Sequence, residues 1–191
     1  MITEYKINWA VPGNIGYFIS TNETGNSKGK YKHANFSNQV GEDSKNVESN
    51  IKELKILHGL NDITFMNQTH SNTVLKVSKE HTDLDCDAMF TEDKTISCAV
   101  LTADCVPILV TESSGRMIGC IHAGWRGLQS NIMGNFFSNF KSISKSNFRI
   151  LLGPCISAQN YEVSDEIFYQ FSNYSERFRK NKSGNYYMDL R

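Results

Sequence analysis

Residues 96–127 read ISCAVLTADCVPILVTESSGRMIGCIHAGWRG, and the way apolar runs alternate with reactive groups here sets what the chain can become. Residues 96–102 are almost wholly apolar between polar flanks, the pattern of a strand covered on both faces, and they lead into Ala103-Asp104-Cys105. Met117 to Ile121 repeats the arrangement and leads into His122-Ala123-Gly124-Trp125-Arg126-Gly127. The pattern predicts two neighbouring core strands, one ending in a thiol and the other in an imidazole. Gly124 and Gly127 let the backbone turn and pack closely around such a pair.

Upstream, Ile63 to Met66 and Thr73 to Val77 read as strands separated by the polar hexapeptide Asn67-Gln68-Thr69-His70-Ser71-Asn72, which predicts a tight turn or an irregular edge. Before them, Asp43 or Ser44 can cap a helix with Val47, Ile51, Leu54 and Leu57 at helical spacing and Gly59 at its end. That helix is expected to cover one face of the sheet. Tyr17-Phe18-Ile19 reads as a short strand, and residues 20–40, rich in Asn, Ser, Gly and Lys, as a long surface loop. Residues 80–87, EHTDLDCD, offer His81 and Cys86 among carboxylates, a metal-like composition whose commoner meaning is a solvated loop.

Downstream, Leu128, Ile132, Phe136 and Phe140 predict an amphipathic helix starting directly after Arg126-Gly127. Free N–H groups beside a guanidinium would suit an anion. Phe148 to Leu152 predicts a further core strand, ending in Gly153-Pro154-Cys155. Ser164 can cap a helix with Asp165 and Glu166 in its first turn and a stripe of Ile167, Phe168, Phe171, Tyr174 and Phe178, and no closing element is apparent near Arg191. Strands mixed with three helices predict an α/β fold, or an α+β one: a single domain over residues 1–191 with a layered mixed sheet, flanking helices and a candidate site at strand ends.

Composition narrows the function classes. At 191 residues and 39% hydrophobic content the chain can bury one substantial core. Twenty basic residues balance twenty acidic ones, so no global field attracts nucleic acid or an anionic membrane. No apolar run approaches the ~20 residues of a membrane helix, and the start MITEYKINWAVPG lacks the basic and apolar regions of a secretion signal. A cytoplasmic location is the expectation. The five cysteines, Cys86, Cys98, Cys105, Cys120 and Cys155, have no C-x-x-C spacing and read as free thiols. Cys98 and Cys120 sit in apolar runs as small hydrophobes, whereas Cys105 follows Asp104 at a strand end.

Three chemical readings compete for these residues. His70, Cys105 and His122 can ligate one metal ion, since thiolate and imidazole suit zinc and three protein ligands leave a fourth position open. Cys105 can instead be a nucleophile with His122 as its base and Asp104 as a polar neighbour. In the third reading Cys105 is a buried hydrophobe and His122 a hydrogen-bonded loop histidine.

Asn67-Gln68-Thr69-His70-Ser71, Thr102-Ala103-Asp104-Cys105-Val106-Pro107-Ile108, Cys120-Ile121-His122-Ala123-Gly124-Trp125-Arg126-Gly127 and Leu152-Gly153-Pro154-Cys155-Ile156 resemble, in order and spacing, the motifs of the YfiH-like family. Its members are also called laccase-domain or polyphenol-oxidase-family proteins, and purine nucleoside phosphorylases with adenosine deaminase activity. The resemblance covers residues 13–190. It implies that His70, Cys105 and His122 correspond to His-Cys-His metal ligands, assigned to zinc and in some members to copper, in a pocket that admits a purine nucleoside. The activities it implies are phosphorolysis of adenosine, inosine and methylthioadenosine, and hydrolytic deamination of adenosine. In some bacterial members the implied role is correction of misincorporated residues in peptidoglycan precursors.

On that resemblance the partners are a purine nucleoside and phosphate. Deamination would use a water activated at the metal, with Asp104 the nearest proton shuttle in sequence. Phosphorolysis would use Arg126, with the helix start after Gly127, to hold phosphate beside the anomeric carbon. The chain departs from the family in having Asn22 and Ile51 where arginine is usual, and relatives continue past the segment matching Asp189-Leu190. A true multicopper laccase needs many imidazoles, typically as His-x-His pairs. Five histidines without a His-x-His pair exclude that reading.

Overall fold

Strict alternation along three strands puts one set of side chains on each face of a central sheet. The computed structural model describes residues 2–80 and 84–191. In chain order it contains α1 (Ser44–His58), β1 (Thr64–Phe65), β2 (Val74–Lys76), β3 (Ala88–Thr91), β4 (Cys98–Ala99), β5 (Val106–Glu112), β6 (Ile118–Ala123) and α2 (Trp125–Gln129). Then follow α3 (Ile132–Ser138), β7 (Phe148–Leu152), β8 (Glu162–Val163), α4 (Asp165–Gln170), β9 (Phe178–Lys180) and β10 (Tyr186–Met188). The main sheet has the order β2-β3-β6-β5-β7, with β2 and β3 parallel and every other pair antiparallel. The fold is thus mixed α/β, as the patterning predicts.

Residues of β3, β5 and β6 sort by parity. Ala88, Phe90, Ile108, Val110 and Ile121 face one core with Ile132, Phe136 and Phe140, while Met89, Cys120 and the partly buried Leu109 face a second with Met66, Cys86 and Ile96. Both faces are covered, which explains why these strands read as continuous apolar runs. Phe136 is fully buried, and a Cβ on Gly119 would lie 2.7 Å from its ring. The glycine therefore lets α3 sit directly on β6.

The N-terminal helix forms as its punctuation dictates. Asp43 accepts a hydrogen bond from Lys45 N–H, and Gly59 closes the helix in the left-handed region at φ 62°. It does not cover the main sheet, however. Leu54 packs in a third cluster with Ile2, Ala34 and Ile63, beside Phe65 and Ala99 of the small parallel pair β1–β4. Fully buried Asn50 links α1 to the preceding loop: its Oδ1 accepts from Asn26 N–H at 2.7 Å, and its Nδ2 donates to Ser27 Oγ and to Asn35 C=O, each at 2.9 Å. Residues 20–40 are the expected loop, with two short 3-10 turns. Residues 17–19 form no strand; an isolated bridge joins Glu4 to Ser20, the residue after them.

Other expectations need correction. Residues 96–102 do not make a long core strand; only Cys98–Ala99 pairs, because Asn67 leaves the partner strand to bridge Asp85. The long strand is β5, which begins after Cys105 and contains Pro107 opposite His122. His122 directs its N–H to Asp87, the residue before β3, so β6 asks no ladder bond of the proline at that pair. The helix expected over residues 128–140 is two helices, broken at Asn131, which takes φ 64° and accepts from Gly134 N–H through its side chain. Phe148–Leu152 is an edge strand with Leu151 buried and Ile150 and Leu152 exposed, since α3 covers Phe148 but extends no further. The helix after Ser164 ends at Gln170; Tyr174 is exposed and Phe178 opens β9. Residues near the chain end do close a unit, since β10 is the central strand of the antiparallel sheet β8-β10-β9 and Phe168 stacks on its Tyr186 at 4.0 Å. Among the described residues no helix is long and apolar enough to cross a membrane.

Candidate metal centre

The antiparallel pairing of β5 with β6 sets Pro107 against His122, and therefore brings Cys105, one residue beyond Val106, beside the imidazole. The loop between β1 and β2 supplies His70 from the other side, its ring edge-on to that of His122 with centroids 4.8 Å apart. The ligand atoms of His70, Cys105 and His122 all lie within 4.8 Å of one another, and they form the one such group among the described residues. His122 is buried, Cys105 half-buried and His70 exposed, so the cluster is rooted in the core and opens outward. Neighbouring ligands of a tetrahedral ion with bonds of about 2.0–2.3 Å are separated by roughly 3.3–3.8 Å. The donor set, one thiolate and two imidazoles, is of the kind a zinc-type ion takes.

Asp87 organises the two imidazoles. Fully buried just before β3, its carboxylate accepts from His122 Nδ1 at 2.7 Å, His70 N–H at 3.0 Å, and Ser71 N–H and Oγ at 2.6 and 2.9 Å. Thr69 N–H and Oγ1 donate to it as well, at 3.1 and 3.2 Å. Anchoring Nδ1 leaves Nε2 as the ligating atom of His122. The same bonds hold His70 at φ 59°, a left-handed conformation costly for a residue with a Cβ and maintained here by its surroundings.

The electrostatics follow from these partners. Burial alone would raise the Asp87 carboxyl, but the bonds from His122 and Ser71 outweigh it and hold the group well below the usual carboxylate range. For His122, burial disfavours the charged ring, yet Asp87 and the Cys105 sulfur prevail and push it up to about 9. Burial pushes Cys86 up to about 11 and Cys98 up to about 12, and raises Cys120 and Cys155 too. Those four stay thiols at neutral pH, and Cys105 is the cysteine that stands beside two imidazoles.

Asp104 is exposed beside Cys105, and its C=O accepts from Ile156 N–H at 2.9 Å, so the 153–156 segment braces the thiol-bearing turn. Arg126 is exposed in α2 with its guanidinium over the Trp125 ring, 4.3 Å from the centroid. Because α2 spans only five residues, the long helix whose start was expected to favour an anion does not form. Gly124 is required for space: a Cβ there would lie 2.9 Å from Cys105 Sγ. A cleft of about 1710 Å³ runs past His70, Asp104, Cys105 and His122, and both Asn22 and Ile51 line it.

Sequence reasoning missed three contributors. Asp87 lies in the acidic stretch read as a solvated loop; Glu80 and Asp85 are exposed, His81 falls outside the described residues, and Cys86 and Asp87 are buried. The available signal was position, an acid immediately before the apolar run Ala88-Met89-Phe90. Gln68 passed as one polar residue of a turn. Tyr161 is half-buried, and burial raises its hydroxyl, with the charges of Cys105, Arg126 and Asp104 also acting on it. Asp87, not Asp104, orients His122, so a thiol–imidazole–carboxylate arrangement exists as well. His70 has no part in such a triad, whereas a three-donor metal site accounts for it.

Residues 16–191 match the family described as multi-copper polyphenol oxidoreductase laccase. A Haemophilus influenzae protein named purine nucleoside phosphorylase is 33% identical over 165 residues, which cover 86% of this chain and 67% of that one. Purine nucleoside phosphorylase YfiH of Escherichia coli is 31% identical over 161 residues, 83% of this chain and 66% of its own length. The chain thus spans about two thirds of these relatives. The crystal structure of a Neisseria meningitidis protein superposes with a TM-score of 0.90 at 30% identity, covering 99% of this chain and 78% of that one.

Proposed function

The chain belongs to the multi-copper polyphenol oxidoreductase laccase family, the YfiH-like proteins, and on that premise we propose that it is a zinc-dependent purine nucleoside phosphorylase. Its substrates are adenosine, inosine and methylthioadenosine with phosphate, and adenosine deamination is a second reaction of the same site. The observation that carries this reading is the convergence of His70, Cys105 and His122 within 4.8 Å beside an open cleft. When bound, zinc, or copper as the other ion the donors accept, supplies a Lewis acid to the substrate.

The chain's own residues do the rest. Asp87 fixes the His122 tautomer and, through the backbone of His70, the position of the second imidazole. Arg126, four residues after His122 and exposed with its guanidinium braced by Trp125, binds phosphate. In phosphorolysis the bond from the anomeric carbon to the purine nitrogen breaks as a phosphate oxygen bonds that carbon. The Asp104 carboxylate takes the proton that the attacking dihydrogen phosphate sheds and passes it to the departing purine nitrogen. In deamination a water oxygen bonds the amine-bearing purine carbon as its C–N bond breaks, and the same carboxylate passes a proton from that water to the leaving amine.

One observation favours a second reading, hydrolytic editing of a peptidoglycan precursor at the same centre: the cleft of about 1710 Å³ exceeds the ~300–1,000 Å³ that encloses a small ligand. The test compares the parent with Cys105→Ala by elemental analysis and by adenosine turnover with and without phosphate. Stoichiometric zinc lost in the variant, and adenine formed by the parent in a phosphate-dependent reaction, is the expected result. Zinc bound but adenosine untouched, with a cell-wall peptide cleaved, would favour the editing reading. No metal in the parent and no product would return Cys105 to thiol chemistry or to packing.

A further inference from the structure

The ladder between β1 and β4 stops at Phe65 and Ala99. Beyond that point the two backbones part. Asn67 gives its N–H to Leu84 C=O at 3.0 Å and accepts from Cys86 N–H at 3.3 Å, and so turns toward residues 84–86. The 100–105 segment would then have no strand partner on this side. Gln68 supplies one with its side chain: Nε2 donates to Leu101 C=O at 2.7 Å, and Oε1 accepts from Leu101 N–H at 2.8 Å. A carboxamide carries one donor face and one acceptor, the same pair a peptide presents, so it continues the ladder where the backbone cannot.

The position of this clamp matters. Gln68 stands two residues before His70, and Leu101 four residues before Cys105. Asp87 ties down the two imidazoles, but its hydrogen bonds go to residues 69, 70, 71 and 122, and the thiol-bearing segment is outside its reach. We propose that Gln68 is a positioning residue of the metal centre, holding Cys105 in register with His70 and His122 through Leu101. The proposal rests on the metal reading above.

Cobalt(II) is a suitable probe, because a thiolate ligand adds a near-ultraviolet charge-transfer band to the visible ligand-field bands. Metal-free parent, Cys105→Ala, Gln68→Met and Gln68→Glu proteins are titrated with Co²⁺, and thermal melts are recorded without metal. The parent should acquire the thiolate band and Cys105→Ala should lack it. Gln68→Met should bind cobalt roughly 10–100-fold more weakly, the range typical of lost outer-shell partners, with the thiolate band diminished relative to the ligand-field bands. Gln68→Glu keeps the acceptor for Leu101 N–H but opposes Leu101 C=O with a carboxylate, so it should also bind more weakly than the parent. It decides the question if the methionine variant does not fold. Gln68 variants that melt lower yet match the parent in cobalt affinity and thiolate band would make the clamp merely structural and overturn the proposal. A parent without a thiolate band would instead overturn the metal reading, and the proposal with it.

Discussion

Asp87 and His122 are joined twice: the Asp87 C=O accepts the His122 backbone N–H at 2.7 Å, and Asp87 Oδ1 lies 2.7 Å from His122 Nδ1. A backbone bond just beyond the end of the β3–β6 ladder and a side-chain bond thus fix the same pair. With Nδ1 taken by Asp87, the ring has Nε2 left for the cluster it shares with Cys105 and His70.

Asp87→Asn should therefore be among the most damaging single changes. The new amide would turn an N–H toward donors on Thr69 and Ser71, and breaking a buried charged pair costs about 3–5 kcal/mol. Urea denaturation of metal-free protein should register that loss, and a metal titration a fall in affinity of roughly 10–100-fold. A variant with parental stability and affinity would remove Asp87 from the centre.

Gly124→Ala separates the site from the fold. The backbone at φ −82°, ψ 167° accepts alanine, but the added methyl carbon would sit 2.9 Å from Cys105 Sγ. Stability should change by less than about 1 kcal/mol, while zinc affinity falls roughly tenfold or more as the sulfur is displaced. Unchanged affinity would mean that the sulfur relocates without consequence.

Arg126→Ala should leave the melt nearly unchanged, since the side chain is exposed and its partner among the described residues is an aromatic face. In phosphorolysis assays it should raise the KM for phosphate by about tenfold or more with a smaller effect on nucleoside KM. A phosphate KM equal to the parent's would take the anion subsite elsewhere.

Acid should act on the turn between β5 and β6. Glu112, 4% exposed, accepts from Ser114 N–H at 2.8 Å and Arg116 N–H at 2.7 Å. Burial would raise its carboxyl, but the bonds from Ser114 and Arg116 outweigh that and hold it below its ordinary 4.5. The lowered folded value means that the ionised group stabilises the fold fully above the unfolded value and stops doing so as pH falls through the folded one. Glu112→Gln should cost about 1–3 kcal/mol at neutral pH and flatten the decline in stability below about pH 5. Parallel acid profiles for parent and variant would show that the carboxylate contributes nothing specific.

The elements legible in the sequence are those whose causes are local. Asp43 and Gly59 bracket α1 because a cap and a left-handed terminus are set within a few residues. The stripe Ile132, Phe136 and Phe140 is buried as its spacing requires, although the helix beneath it breaks at Asn131. His70, Cys105 and His122 could be named as a set because their side chains are chemically distinctive, even where the strands carrying them were misassigned.

Tertiary structure decided the rest. Asp87 looks like any acid in an acidic loop until pairing with β6 sets it against a histidine 35 residues away. Gln68 looks like turn filler until Leu101, 33 residues on, runs beside it without a strand partner. Likewise β7 reads as core but lies at an edge, because α3 is too short to cover Ile150 and Leu152. Periodicity and capping record the energetics of one element, whereas burial of a carboxylate or the pairing of an amide depends on which distant backbone comes to lie against it.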